Sequence, residues 1–355
     1  MRIRQCLSGL SPYIPGKLVP GAIKLASNEN PLGPSPRAME TLRECISRTH
    51  LYPDNACAGL REALAVKHGL APENIVVGNG SDEIMMLAAA AYINPGDTAV
   101  TARETFSNYT FVTRLFDGEM NRAPLCKGFF DLDALDALVK HAAPGPRLVF
   151  LCNPNNPTGT YFGHSALENF LKKMPPETLV VSDEAYADFA EAPDFPDSLS
   201  LLPAYPNLLI MKTFSKLYGL AGLRIGYGIA HEDVAADLLK AKISFSANLP
   251  ALAAAQAALE DREFVEKSLA VNREGKAWLC AEFDRLGLPY YPSQANFICI
   301  DTGRDSRDME RRIMELGVTI RPLASFGMPH SLRVTIGTRE QNRLFINCLE
   351  KALTE

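Results

Sequence analysis

Short apolar runs separated by polar, turn-forming stretches dominate the middle of the chain. From about residue 75 to residue 230 they alternate with amphipathic helical stretches, the pattern of a mostly parallel sheet with helices on both faces. The predicted strands are Ile75–Val77, Thr98–Thr101, Leu148–Leu151, Leu179–Val181, Leu208–Met211 and Ile225–Ile229. Their near-continuous apolar content suits strands buried on both faces. Each runs into polar residues, the place where an open α/β sheet binds ligands. Helices are predicted to begin after Ser81, whose hydroxyl would cap a first turn carrying Asp82 and Glu83, and after Asp131.

A second unit follows. A helical pattern from about Arg262 to Arg285, stopped by Gly287 and Pro289, leads into predicted strands at Phe297–Ile300, Val318–Ile320 and Leu332–Ile336. A helix is expected over Ser306–Leu316, and a last one from Thr338, with Gln341 as the far member of a capping box. The Pro-rich segment Asn30–Pro36 reads as a loop entering a helix over Arg37–Ser47. At 355 residues and 47% apolar content the chain is long enough for one large core and one smaller. The expectation is an α/β protein: an arm at 1–36 on the outside or against the smaller domain, a large domain at 37–265, and a small α+β domain at 266–355.

Charge changes this picture little. The net charge is -5, from 36 basic and 41 acidic residues well interspersed, so neither a nucleic-acid footprint nor a polybasic membrane patch is expected. The apolar run Ile84–Ile93 is far short of the roughly 20 residues that span a bilayer. No apolar leader is visible, and the eight cysteines show no Cys-x-x-Cys spacing, so neither a disulfide framework nor a metal site is supported. A reducing cytoplasm is the expected setting.

The chemistry concentrates at the predicted strand ends. Ser215 and Lys216 follow Leu208–Met211, with Arg224 eight residues on. A lysine screened from water near an arginine has a depressed pKa and an amine free to condense with an aldehyde, which suggests pyridoxal phosphate. Such a cofactor needs its phosphate held, its ring nitrogen kept protonated and its ring oriented. Gly78-Asn-Gly-Ser-Asp82 opens a helix, so the Gly80 and Ser81 amides can meet a phosphate, with Ser215 and Arg224 adding a hydroxyl and a guanidinium. Asp183 is placed to pair with the ring nitrogen, and Tyr186 and Asn156 to hydrogen-bond the ring oxygen. Phe106 is placed to stack on the ring face.

The ordered set Gly-Asn-Gly-Ser-Asp82, Asn153-Pro-Asn-Asn-Pro-Thr-Gly159, Asp183-Glu-Ala-Tyr186, Ser215-Lys216 and Gly222-Leu-Arg-Ile-Gly-Tyr227 resembles the fold-type I pyridoxal phosphate aminotransferases. With Leu10-Ser-Pro-Tyr13, Ser27–Pro36, Tyr52-Pro-Asp54, Arg321-Pro-Leu323 and Leu332–Thr338, the chain is similar end to end to the histidinol-phosphate aminotransferases. Glu104 departs from them, standing where that family usually has proline.

The resemblance implies that Lys216 bonds the cofactor while Asp183, Tyr186 and Asn156 hold its ring. Gly80, Ser81, Asp82, Ser215 and Arg224 would hold its phosphate, with Tyr52 reaching in from the partner of a homodimer. Arg333 would clamp the substrate carboxylate, and Tyr13 and Arg321 would lie near the distal phosphate of histidinol phosphate. The implied reaction transfers an amino group between histidinol phosphate and 2-oxoglutarate, giving imidazole-acetol phosphate and glutamate in histidine biosynthesis. Rival readings are an aromatic amino-acid aminotransferase, a threonine-phosphate decarboxylase and a non-catalytic effector-binding module.

Overall fold

The computed structural model describes residues 3–8, 10 and 19–354. Its centre is a 7-stranded sheet whose strands run, across the sheet, Ile75–Gly78, Gly226–Ala230, Leu208–Thr213, Leu179–Asp183, Leu148–Cys152, Thr98–Ala102 and Glu119–Ala123. Gly226–Ala230 is antiparallel to both its neighbours, and the other neighbouring pairs are parallel. All six predicted strands are present. The seventh, Glu119–Ala123, is a polar edge strand buried fully only at Ala123, so it carried no apolar pattern to read.

Alternation along the strands feeds two cores. Ile75, Val77, Val149, Leu151 and Ile210 pack on one face, against Leu60, Leu64 and the alanine-rich helix Leu249–Leu259. Val76, Leu148, Phe150, Val181 and Met211 pack on the other, against Ile84, Met85 and Leu238. Because five neighbouring strands run in parallel, Cys152, Asp183 and Thr213 end on one edge, and the loops carrying the candidate residues gather there.

A third core is built separately. The 25-residue helix Arg262–Leu286, ended by left-handed Gly287 as predicted, packs Leu279 and Phe283 against Ile298, Ile300, Val334 and Phe345. Strands Arg321–Pro322, Ser331–Thr335 and Phe297–Asp301 form its antiparallel sheet. The single strand predicted at 318–320 is two short ones. Val318–Thr319 pairs with Ile23–Lys24, and after Ile320 the chain changes partner, so Arg321–Pro322 pairs with Ser331–Thr335. Leu25 of the arm packs in this third core. The Thr338–Gln341 capping box is present, with the Thr338 N–H donating to Gln341 Oε1 at 2.9 Å.

One close approach sets the shape of the sheet edge. Gly226 lies against the turn that starts the Ser81–Tyr92 helix: a Cβ there would meet the Gly80 carbonyl carbon at 2.7 Å and the Lys212 carbonyl oxygen at 3.0 Å. These are backbone atoms that cannot swing aside. Gly226→Ala should therefore lower stability by about 1–3 kcal/mol. Urea unfolding would show it as a fall in midpoint at unchanged slope, and a midpoint equal to wild type would mean the turn yields freely.

Candidate functional site

Asp183 ends its strand with the carboxylate buried. Tyr109 donates its hydroxyl to Oδ2 at 2.6 Å, and the Ala185 N–H donates to Oδ1 at 3.2 Å. Burial pushes this carboxyl up to about 6, and the Tyr109 hydrogen bond only partly opposes the shift. A cationic N–H at the same carboxylate would favour its charged form and reverse the shift. Tyr109 stacks on Phe150 at 4.9 Å between centroids and meets Phe106 edge-on at 5.7 Å, so Phe106 stands beside the carboxylate's partner.

Lys216 follows the neighbouring strand. Its Nζ donates to the Ser27 carbonyl at 3.0 Å and lies 5.6 Å from the centroid of the Tyr186 ring. Desolvation, then the positive charge of Arg333, lowers its pKa to about 8. Tyr186 is buried edge-on to Phe297, and its hydroxyl accepts a hydrogen bond from Asn28 Nδ2 at 2.9 Å. Burial pushes that phenol up to about 12, against the pull of Arg333.

Arg333 joins three distant pieces of chain. From the small sheet it donates Nη1 to Asn156 Oδ1 and Nη2 to the Ala26 carbonyl at 2.8 Å, with its guanidinium 5.3 Å from the Phe297 ring centroid. Directly across the antiparallel ladder from it stands Arg321. Side chains paired this way share a face with Cβ atoms about 4.5–5.5 Å apart, and two like charges so placed repel.

The start of the Ser81–Tyr92 helix differs from the expectation in its cap. Gly80, at φ +77, takes the cap position, and Ser81 is already the first helical residue with no side-chain cap bond. The backbone there adopts a conformation that L side chains rarely reach, so glycine is placed where a capping hydroxyl was expected. The Gly80 N–H is used within the turn, donating to the Gly78 carbonyl at 2.8 Å. The Glu83 N–H donates to the Gly80 carbonyl at 3.2 Å, and the Ser81 and Asp82 amides precede it at the helix's positive end. Arg224 reaches this end from a left-handed backbone (φ 57), pairing with Asp82 Oδ2 at 3.0 Å, while Asn108 donates to Asp82 Oδ1 at 3.1 Å. A Cβ on Gly80 would sit 2.5 Å from Arg224 Nη2, so a side chain there would push the guanidinium off this position. Ser215, buried nearby in sequence after Thr213, donates its amide to Thr213 Oγ1 at 3.1 Å.

Two expected members stand apart. Tyr52 is 80% exposed and stacks on Phe245 at 4.7 Å, among the exposed Leu51 and Ile243 of the same two loops. Tyr13 lies outside the described residues. Sequence reasoning had passed over Tyr109, Asn28 and Ser27. Asn28 and Ser27 lie in the Ser27–Pro36 segment, quoted without a role for either, and Tyr109 follows Phe106 by three residues. Glu104 uses its carboxylate structurally, accepting from the Leu125 N–H at 3.0 Å. Among the described residues no cluster of three or more potential metal ligands occurs, and no helix is long and apolar enough to cross a membrane.

A helix start, a lysine with lowered pKa and a buried carboxylate gathered at one edge of a parallel sheet are the parts of an aminotransferase-type centre. The family model for aminotransferase class I and II matches residues 20–349, so the chain belongs to that family. Within it the chain belongs with the histidinol-phosphate aminotransferases. It is 48% identical to the histidinol-phosphate aminotransferase of Moorella thermoacetica, over 99% of this chain and 93% of that one. To the enzyme of the same name from Symbiobacterium thermophilum it is 46% identical, over 99% of both. The crystal structure of the Sinorhizobium meliloti histidinol-phosphate aminotransferase in complex with pyridoxal-5'-phosphate superposes with a TM-score of 0.93, at 27% identity, covering 99% of this chain and 98% of that one.

The lowered lysine pKa has a direct chemical readout. In the ligand-free protein Lys216 should be neutral and reactive above about pH 8 and lose reactivity as pH falls through that value, where an ordinary lysine titrates at 10.5. Acylation rates at Lys216, read by peptide mass analysis against pH, measure this. A midpoint near 10.5 would mean the amine is solvated.

Proposed function

We propose that this chain moves an amino group between L-histidinol phosphate and 2-oxoglutarate, with pyridoxal phosphate as its cofactor. The shared name of its close relatives and the cofactor in the Sinorhizobium meliloti structure support the reading. The observation that carries the substrate assignment is the Arg321–Arg333 pair, two like charges held on one face of a ladder. Both substrates are anions: one brings a carboxylate at the reacting carbon, the other a phosphate at its far end.

The donor set fits the cofactor. In this reading Ser81 and Asp82 amides, Ser215 and Arg224 hold its phosphate beside Gly80, Asp183 pairs with its ring nitrogen, and Asn156 and Tyr186 hydrogen-bond its ring oxygen. Phe106 covers one face, and Lys216 is the point of covalent attachment. Bound there, pyridoxal phosphate supplies an electron-withdrawing ring that acidifies the Cα–H of an amino substrate. Asp183 keeps its negative charge by pairing with the ring N–H, helped by the Tyr109 hydroxyl. Lys216, once its Nζ is released as a neutral amine, would take the Cα proton and return it to the carbon two atoms along, across the nitrogen. Arg333 binds the α-carboxylate of glutamate or 2-oxoglutarate. Arg321 and Tyr13 receive the phosphate of histidinol phosphate.

The working unit in this reading is a homodimer. Tyr52, Leu51, Ile243 and Phe245 form an exposed apolar surface on two adjoining loops, and the Phe245 N–H is tied to Asn55 Oδ1 at 2.7 Å. Covering them with a second copy would carry Tyr52 into the partner's phosphate site. A cytoplasmic setting agrees with eight cysteines that are all free.

Borohydride reduction of the yellow protein should fix the cofactor to the peptide carrying Lys216, and Lys216→Ala should abolish turnover with the fold intact. Label on another lysine would end the assignment. Arg333→Ala should slow the glutamate half-reaction by roughly two orders of magnitude, the cost of leaving a buried charge unpaired. The histidinol phosphate half-reaction, whose substrate has an alcohol there, should lose far less. Arg321→Ala should show the reverse and spare phenylalanine. Single-turnover measurements separate these outcomes, and equal losses for all substrates in Arg321→Ala would favour an aromatic amino-acid aminotransferase.

A further inference from the structure

Asn28 is 1% exposed and holds a left-handed backbone (φ 58) that non-glycine residues rarely adopt. Each of its polar groups is engaged. Its N–H donates to Thr335 Oγ1 at 2.9 Å, its carbonyl accepts from Asn296 Nδ2 at 3.0 Å, and its Nδ2 donates to the Tyr186 hydroxyl at 2.9 Å. The amide is oriented by its two side-chain contacts. Thr335 Oγ1, which accepts from the Asn28 N–H, also donates to Asn28 Oδ1 at 3.4 Å. That leaves Nδ2, a donor only, against Tyr186. With an N–H aimed at its oxygen, the Tyr186 hydroxyl must spend its own proton on a different acceptor.

We propose that Asn28 is a positioning residue that makes Tyr186 a hydrogen-bond donor into the site and ties its placement to the small-sheet strand Ser331–Thr335. The inference rests on the reading that Tyr186 faces the cofactor's ring oxygen. Its neighbours in sequence act in the same sense: the Ala26 carbonyl accepts from Arg333 and the Ser27 carbonyl from Lys216. Three successive residues of the arm thus index a carboxylate-binding arginine, the reactive lysine and the ring-binding phenol to one another. The phenol is held through the small sheet and not only through its own turn.

The test is a pH titration of the visible absorbance of the Lys216-bound cofactor in the holoenzyme. Asn28→Gly removes the amide while tolerating φ 58, so the backbone is kept. It should raise the spectroscopic pKa by about half to one unit, the equivalent of one ordinary hydrogen bond. Asn28→Asp presents an acceptor to the phenol and turns its proton away, so it should shift the pKa as far as Tyr186→Phe does. In the Tyr186→Phe background Asn28→Gly should add nothing, and kcat should fall more than KM changes. Thr335→Val, which frees the amide to rotate, should give a smaller shift of the same sign and serves if Asn28→Gly does not fold. If Tyr186→Phe shifts the titration and the Asn28 and Thr335 variants do not, the positioning role is wrong. If their shifts persist undiminished without the Tyr186 hydroxyl, Asn28 acts elsewhere and the proposal also fails. A Tyr186→Phe protein that titrates like wild type would instead overturn the assignment of Tyr186.

Discussion

A buried guanidinium cannot remain without partners, and at Arg333 that requirement organises the molecule. Removing such a cation from water costs several kcal/mol, which only well-placed acceptors offset. Asn156 supplies one from the loop after a central strand, and the Ala26 carbonyl supplies another from the arm. The small sheet, the large sheet and the N-terminal segment are therefore fixed to one another at the point where a substrate carboxylate would bind. Arg321, opposite on the ladder, makes the same place more positive than the protein alone would favour.

The same exclusion of water sets the acid–base properties. Burial raises the Asp183 carboxyl and lowers the Lys216 amine, so both groups move toward neutral pH from opposite sides. Their neighbours refine this. Tyr109 holds part of the Asp183 charge, and Arg333 adds to the depression of Lys216. A general base titrating near the working pH is what proton transfer at carbon requires. Glycines make the close packing possible: Gly226 lets a strand start touch a helix start, and Gly80 lets a guanidinium touch the turn.

Much of this was legible in the sequence because the central strands are buried on both faces and so read as unbroken apolar runs. The polar residues after each run marked the site, where Asn156, Tyr186, Lys216 and Arg333 converge by contact or charge and the Asp183 charge acts on the Tyr186 phenol. The edge strand Glu119–Ala123 was silent because a half-exposed strand needs no apolar pattern. The helix cap went to Gly80 instead of Ser81 because backbone conformation, which Gly226 crowds, outweighed hydroxyl capping.

By itself, then, the sequence determined what its local patterns encode: apolar periodicity, stop signals such as Gly287, the Thr338–Gln341 cap, and the order of the chemical groups along the chain. The tertiary structure alone decided which groups meet. Asn28 and Tyr186 are 158 residues apart, and Asn28 and Thr335 are 307 apart, so no local pattern can join them. Their contact follows from the large-sheet cores and the small-sheet core folding around one arm. The pKa shifts belong to the same category, because desolvation is a property of the assembled cleft and of no single residue.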